Sequence, residues 1–305
     1  MSVYEHTYKQ YEGPLTPEWS RFLVIPRHAY RDVFRSKLFI AFFCACFVYP
    51  LVAAILIYLH HNVNALGILK LDLAELVPIN ASFFETFVVV QGTFAFFLTM
   101  LVGPPLVSRD LSNNALPLYL CRPISRAEYV IGKMSVLLIL LSFITWIPGL
   151  ILFLFQSYLE GAGWLGHNLR IAFAIFAGCV VWILILALLS QALSAWVKWR
   201  MAASAALLGL FFIPSVFAEV INSLFMTKIG NLISLPRVMG YIWSGLFGSF
   251  SRGVETVTTH RGGRFIRREY LEPPLWSAWF AVALLCAVCL LLLIRKVRAY
   301  EVVKS

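Results

Sequence analysis

Residues able to do chemistry are few in this chain, and most stand alone. His60 and His61 adjoin one another, but H-E-x-x-H is absent and no acidic residue is close in sequence, so they do not read as metal ligands. Cys286 and Cys289 have C-x-x-C spacing inside an apolar run with no acidic or histidine neighbour, a setting for packing rather than for metal or redox chemistry. Gly132–Lys133 lacks the earlier glycine of a phosphate loop and is followed by Met134, so no cradle for a nucleotide phosphate is formed. No G-x-S-x-G occurs. The sequence offers no catalytic residue, no metal site and no cofactor of its own.

The one concentrated polar stretch is Ser108–Lys133, SRDLSNNALPLYLCRPISRAEYVIGK, between two long apolar runs. Arg109 and Asp110 open it, and Asn113–Asn114 mark a turn. Leu116, Leu118, Tyr119 and Leu120 form a short apolar set; positions 116, 119 and 120 share one helical face. Pro123 disfavours helix at Cys121–Arg122, so the chain breaks there and restarts at Arg126. Ser125 and Glu128 have capping-box spacing, in which each side chain satisfies a free backbone N–H of the other residue. The chemistry this pattern suits is the docking of an anchored apolar face on a partner.

A second set of polar residues lies within the apolar runs, where such groups are costly and therefore informative. Gln91 and Glu85 are six residues apart in the second run, Ser190 and Gln191 lie late in the fourth, and Glu219 lies late in the fifth. Gln91 and Glu85 are candidates for a substrate path; interhelical hydrogen bonding is the competing role for Gln91. Pro104–Pro105, Pro148 and Pro214 fall within or beside these runs and serve either bending or static packing.

The elements that must hold these residues are membrane spans. The 305 residues are 60% hydrophobic and 13% charged, with a mean hydropathy of +0.81, whereas a soluble domain is about 25% charged. The net charge of +10 fits basic flanks of a membrane protein, and nucleic acid is not an expected partner. Six runs, 38–59, 83–106, 134–155, 171–193, 201–221 and 275–294, approach the roughly 20 residues needed to cross about 30 Å of hydrocarbon. The first ~35 residues hold no apolar core of signal-peptide length, so the first run is expected to target the chain. Arg27, Arg31 and Arg35 recur every four residues, which predicts an amphipathic interfacial helix over 18–37 lying against lipid headgroups.

Lys and Arg near span ends set orientation. With the N-terminus inside, the segments 1–37, 107–133, 196–200 and 295–305 hold sixteen of the 25 basic residues, which favours both termini in the cytoplasm. The long outer segment 222–274 opposes this with seven. Within it, 229–250 is apolar enough to dip into the bilayer as a re-entrant pair, broken by Pro236 and Gly240. Ser249–Glu272, with its THRGGR turn, reads as a solvated loop or as a contact for headgroups or periplasmic partners.

The order of features across Arg109–Lys133 resembles the cytoplasmic loop of type-2 ATP-binding cassette (ABC) exporter permeases: Arg-acid, a polar turn, a short apolar helix, R-P-I-S-R, acid-Tyr and Gly-Lys. The tail RKVRAYEVVK (295–304) is similar to the ends of many such permeases. Asp110 stands where that family often has Glu, and Asn113–Asn114 where a glycine is common. The resemblance implies an all-α polytopic membrane protein, a single transmembrane domain over 1–305. It would have six spans, an N-terminal elbow helix, and a cytoplasmic coupling helix between spans two and three. It also implies a bacterial inner (plasma) membrane location, a partner ATPase subunit and a second permease copy, identical or not. Arg109, Asp110, Leu116, Tyr119, Leu120, Arg122, Pro123, Ser125, Arg126 and Glu128 would then be the coupling residues.

Two functions follow as expectations: the permease subunit of an ATP-driven exporter, or a membrane sensor or scaffold that couples an ATPase to a periplasmic process without a translocated substrate. Under either, ATP is hydrolysed in another subunit, and this chain is not an enzyme. The purified chain is expected to show no nucleotide binding by calorimetry; binding at micromolar ATP would overturn that reading.

Overall fold

The computed structural model describes residues 24–62, 78–112, 126–197, 199–225, 227–250, 254–261 and 264–296. The chain is predominantly helical, and six helical segments are long and apolar enough to cross a membrane: Lys37–His61, Ala81–Leu106, Glu128–Glu160, Gly163–Trp196, Met201–Phe225 and Leu275–Arg295. All six expected runs are present. This is an integral membrane protein.

A short helix, α1 (Val24–Val33), precedes the first span. Its Arg27 and Arg31 are exposed, while Ala29, Tyr30 and Val33 pack inward. The expected three-arginine stripe is shortened, because the helix ends at Val33 and Arg35 lies in the turn beyond it. Ser36 then caps α2 (Lys37–Ala45), its hydroxyl accepting from the Phe39 N–H at 3.4 Å.

Proline governs the shape of the spans, because each removes an N–H that the carbonyl four residues earlier would have used. Span one is interrupted between α2 and α3 (Val48–His61), four residues before Pro50. The carbonyl this leaves open is that of Cys46, and it accepts from Gln91 Nε2 at 3.1 Å. Span two is one helix, α4 (Ala81–Ser112), that runs through Pro104 and Pro105 unbroken. Pro104 leaves the Met100 carbonyl without its helical donor, and the Ser204 hydroxyl donates to it at 3.1 Å. One turn on, the Ser194 hydroxyl accepts from the Ser108 N–H at 2.9 Å and donates to the Pro104 carbonyl at 2.7 Å. A side chain from one span is thus inserted into the backbone ladder of another. Span three breaks at Thr145 (φ −110°, ψ −93°), between α5 (Arg126–Ile144) and α6 (Trp146–Glu160), just before Pro148.

Gly161, at φ +106°, turns the chain between α6 and α7 (Ala162–Trp196); an L side chain is disfavoured in that conformation. Helix α7 is the axis of the bundle. It packs on α4, α5, α6, on α8 (Arg200–Phe225), and on two later helices, α9 (Leu235–Phe247) and α10 (Leu275–Lys296). Of the most apolar window in each span, 61% is buried in span four against 17% in span five. Spans two to four make the core, and spans one, five and six present most of their surface outward.

The segment after span five re-enters the bundle. A 3-10 turn, Ile229–Ile233, folds back along α8: Asn222 Nδ2 donates to Asn231 Oδ1 at 2.7 Å, and the Ser215 and Ser234 hydroxyls meet at 2.7 Å. Helix α9 then returns toward the end it came from. Its 13 residues span about 20 Å at 1.5 Å per residue, too short to cross the ~30 Å hydrocarbon core. Trp243 lies against Gly92 of α4 and Gly178 of α7; a Cβ on either glycine would come within 2.8 Å of the indole ring. The indole N–H of Trp243 donates to the Gly178 carbonyl at 3.2 Å, and that of Trp182 to the Gly92 carbonyl at 2.8 Å. Arg170 caps the C-terminus of α9, donating to the Gly245 and Leu246 carbonyls. Pro236 and Gly240 do not break this segment. Pro236 sits in the first turn of α9, where its missing N–H costs nothing, and Gly240 lies within the continuous helix.

The polar excursion 249–272 carries a pair of strands. Strands β1 (Val254–Arg261) and β2 (Arg264–Leu271) pair antiparallel, from Val254↔Leu271 to Arg261↔Arg264. The intervening Gly-Gly suits the primed turns of two-residue hairpins, and the flanks are rich in β-branched and aromatic residues. This hairpin qualifies the all-α expectation.

Trp196 Nε1 donates to the Leu292 carbonyl at 3.4 Å, and Tyr30 OH to the Val136 carbonyl at 3.2 Å. These contacts bring α1 and the end of α10 to the end of the bundle where α4 ends and α5 begins.

The Gln91–Cys46 bond yields a prediction. Gln91→Ala exposes the Cys46 carbonyl to an apolar interior, a loss of about 1–3 kcal/mol. In a Pro50→Ala background, where residue 50 regains its N–H, that loss is expected to shrink by about 1 kcal/mol. A double-mutant cycle of denaturation in micelles measures it.

Candidate functional site

Helix α4 continues through Ser108 and Asp110 to Ser112, so the last turns of span two carry the start of the polar stretch. Helix α5 starts at Arg126, as Pro123 and the capping spacing predict, with Glu128 half-buried in its first turn, where a carboxylate favours the positive end of the helix. One turn on, the two helices are joined. Asp110 Oδ2 accepts from Tyr129 OH at 2.7 Å and from Lys133 Nζ at 2.9 Å. Tyr129 is fully buried, and the side chains of Lys133 and Asp110 are 9% and 14% exposed. Tyr129 and Lys133 are four residues apart on α5, which places both on one face, and the ammonium lies 5.8 Å from the Tyr129 ring centroid.

This clasp closes the two ends of the stretch 113–125. Leu116, Tyr119, Leu120, Arg122, Pro123 and Ser125 lie in that stretch, outside the described residues. Arg109 and Arg126 are helical, and their side chains are likewise outside the description. Of the ten expected coupling residues, the structure gives side-chain surroundings for Asp110 and Glu128. Behind the clasp, α1 packs on α5 through Tyr30, whose phenol burial pushes up to about 12, so it stays neutral and donates.

Gln91 and Glu85 are not brought together. Gln91 is fully buried and spent on the Cys46 carbonyl, the interhelical role. Glu85 is half-buried at the other end of the bundle and accepts from the Ser249 hydroxyl at 2.6 Å. At that same end His61 has an acidic partner that sequence proximity did not disclose. Its Nε2 is 2.8 Å from Glu160 Oε2, while its Nδ1 donates to the Ile57 carbonyl at 3.0 Å. Glu219, on the outer part of α8, pairs with Arg237 at 2.6 Å. Among the described residues, no group of three or more His, Cys, Asp or Glu side chains is placed to hold a metal ion.

The sequence reading missed Lys133 and Tyr129 as partners of Asp110, and Ser108 and Ser194 as a backbone bridge. The signal for the first pair was present: a tyrosine and a lysine at i and i+4, just before an apolar run, where a lysine needs an anion. No protein-family model matches the chain, and no curated protein matches it. The family likeness therefore rests on the residues of 109–133 and 295–304 alone.

Lys133→Met leaves the Asp110 carboxylate largely buried with only Tyr129 to hold it, an expected loss on the order of 3 kcal/mol. Asp110→Asn combined with Lys133→Met removes both charges and is expected to recover most of that loss. Thermal unfolding of the three proteins in one detergent distinguishes an ion-pair clasp from independent surface charges, which would give additive losses.

Proposed function

We propose that this chain is the transmembrane permease subunit of an ATP-driven exporter, whose 113–125 stretch docks on a separate ATPase subunit in the cytoplasm. The observation that carries the reading is the Asp110–Tyr129–Lys133 clasp. It ties the end of span two to the start of span three directly beneath a stretch whose sequence resembles the coupling loop of such permeases. A loop held this way moves its two spans as a unit when a partner pushes on it. The six membrane-crossing helices, and the return of both described chain ends to the loop's side, support the same architecture. In this reading α1 is the elbow helix and the loop side is the cytoplasmic one, in agreement with its excess of Lys and Arg. Two copies enclose the path, since the core of a single copy is packed with side chains such as Trp182, Trp243, Phe96 and Phe211.

Leu116, Tyr119 and Leu120 are the anchors in this proposal, Arg109 orients the loop at its rim, and Asp110 holds the loop's base through the clasp. Truncating a buried aromatic anchor commonly costs about 2 kcal/mol or more. Tyr119→Ala is accordingly expected to weaken ATPase association at least about tenfold, the factor that 1.4 kcal/mol corresponds to, with insertion unchanged. Ser125→Ala removes a helix cap worth roughly 1 kcal/mol and is expected to leave association intact while lowering transport per ATP. Affinity capture of the ATPase subunit on the tagged chain from its native membrane reads the first, and vesicle transport the second. Wild-type capture by a Leu116→Ala, Tyr119→Ala, Leu120→Ala triple variant sinks the docking role. ATP hydrolysis without any translocated substrate would instead point to a sensor or scaffold.

A further inference from the structure

A cavity of about 190 Å3 lies between α1, the start of α2 and the end of α4, room for roughly six waters at about 30 Å3 each. Its lining divides by chemistry. Phe39, Leu101, Val102 and Leu106 form an apolar wall, and Leu38 at its edge is 64% exposed on the outside of span one. The polar part of the lining is Asp32, Ser36, Asp110 and Lys133.

The charges there do not balance. Lys133 and Asp110 neutralise one another at 2.9 Å. Asp32 is exposed and has no ion pair among the described residues, so the lining is net negative by one carboxylate. Arg27 and Arg31 are exposed on the same short helix, and Arg35 and Lys37 are exposed on either side of Ser36, all four outside the lining. The cavity also sits where the spans leave the apolar core, next to the helix that precedes span one. That is headgroup depth for a lipid of the adjacent leaflet.

We propose that this cavity binds the headgroup of an aminophospholipid. The primary ammonium enters against the Asp32 carboxylate, the phosphate faces the exposed arginines of α1, and the acyl chains run over Leu38 and Leu101. A headgroup with no cationic part would bring its phosphate toward Asp32 and gains nothing from the cavity. A quaternary ammonium has no N–H to donate to the carboxylate. The surrounding basic face attracts any anionic lipid, but the cavity selects for the ammonium. This inference rests on the membrane location of the helices alone, so it stands or falls separately from the ATPase-docking reading.

Native mass spectrometry of the full chain in micelles tests it, with phosphatidylethanolamine, phosphatidylglycerol and phosphatidylcholine added at equal concentration. The expected result is a preference for phosphatidylethanolamine of about two- to fivefold over both others. Asp32→Asn is expected to abolish that preference while the lipid-free melting temperature stays unchanged, and Asp32→Lys to turn it toward phosphatidylglycerol. Equal binding of phosphatidylglycerol and phosphatidylethanolamine would overturn the proposal, since the arginines of α1 alone explain that. A preference that survives in Asp32→Asn overturns it as well. Displacement by soluble phosphoethanolamine at millimolar concentration would assign the cavity to a small solute and remove the lipid.

Discussion

Pro50 and Pro104 each leave a backbone carbonyl without its helical N–H inside an apolar bundle, and the rest of the fold is arranged around meeting those two demands. In an apolar interior a donor from another helix can meet such a demand. Gln91 supplies it for Cys46, and Ser204 for Met100. Each such bond fixes the axial register of two spans, because a donor one turn away meets a satisfied carbonyl instead. The Ser194 hydroxyl, bridging Ser108 and Pro104, fixes a third. Gln91, Ser194 and Ser204 thus act as components of the backbone hydrogen-bond system, whereas Ser190 and Gln191 are buried with no side-chain hydrogen-bond partner among the described residues. Gln91, a candidate for a substrate path by sequence, donates from Nε2 in this way, while its Oε1 is buried with no hydrogen-bond partner among the described residues.

The same registers set up the clasp at the bundle's end. With α4 pinned to α7 at Ser194 and to α8 at Ser204, Asp110 is delivered at the height of Tyr129 and Lys133. A pair this buried contributes little net stability once its desolvation is counted, but it is costly to half-break. Its value lies in geometry: the 113–125 stretch leaves and returns through two points that cannot separate without exposing an unpaired charge.

At the opposite end the short α9 does a different job. Indole rings from α7 and α9 fill the middle of the bundle and bond to the Gly92 and Gly178 carbonyls, possible only because neither glycine has a Cβ in the way. The re-entrant segment closes the bundle from that side with helical backbone buried in protein, one of the few ways non-spanning chain is tolerated at membrane depth. Arg237–Glu219 ties its base to span five at the surface, where such a pair has solvent to share and holds weakly, while the more buried Lys228–Glu272 pair, at 3.4 Å, joins it to the segment before span six.

Local chemistry alone determined the six spans, the helix restart at Arg126 and the exposed arginines of α1, but not which prolines break a helix: the chain breaks before Pro148 and runs on through Pro104, Pro105 and Pro214. Hydropathy, proline sterics and cap spacing act within a few residues and are readable one segment at a time. The apolar 229–250 stretch showed that something dips inward, but its depth and direction depended on Trp243 finding two glycines on other helices. Every partnership that defines the sites was decided by the tertiary structure: Asp110 with Lys133, Gln91 with Cys46, His61 with Glu160. Gln91 and Cys46 are 45 residues apart, and His61 and Glu160 are 99. Nothing in the intervening chain encodes such a pairing; it follows from which faces the spans turn to one another when they bury their prolines' open carbonyls.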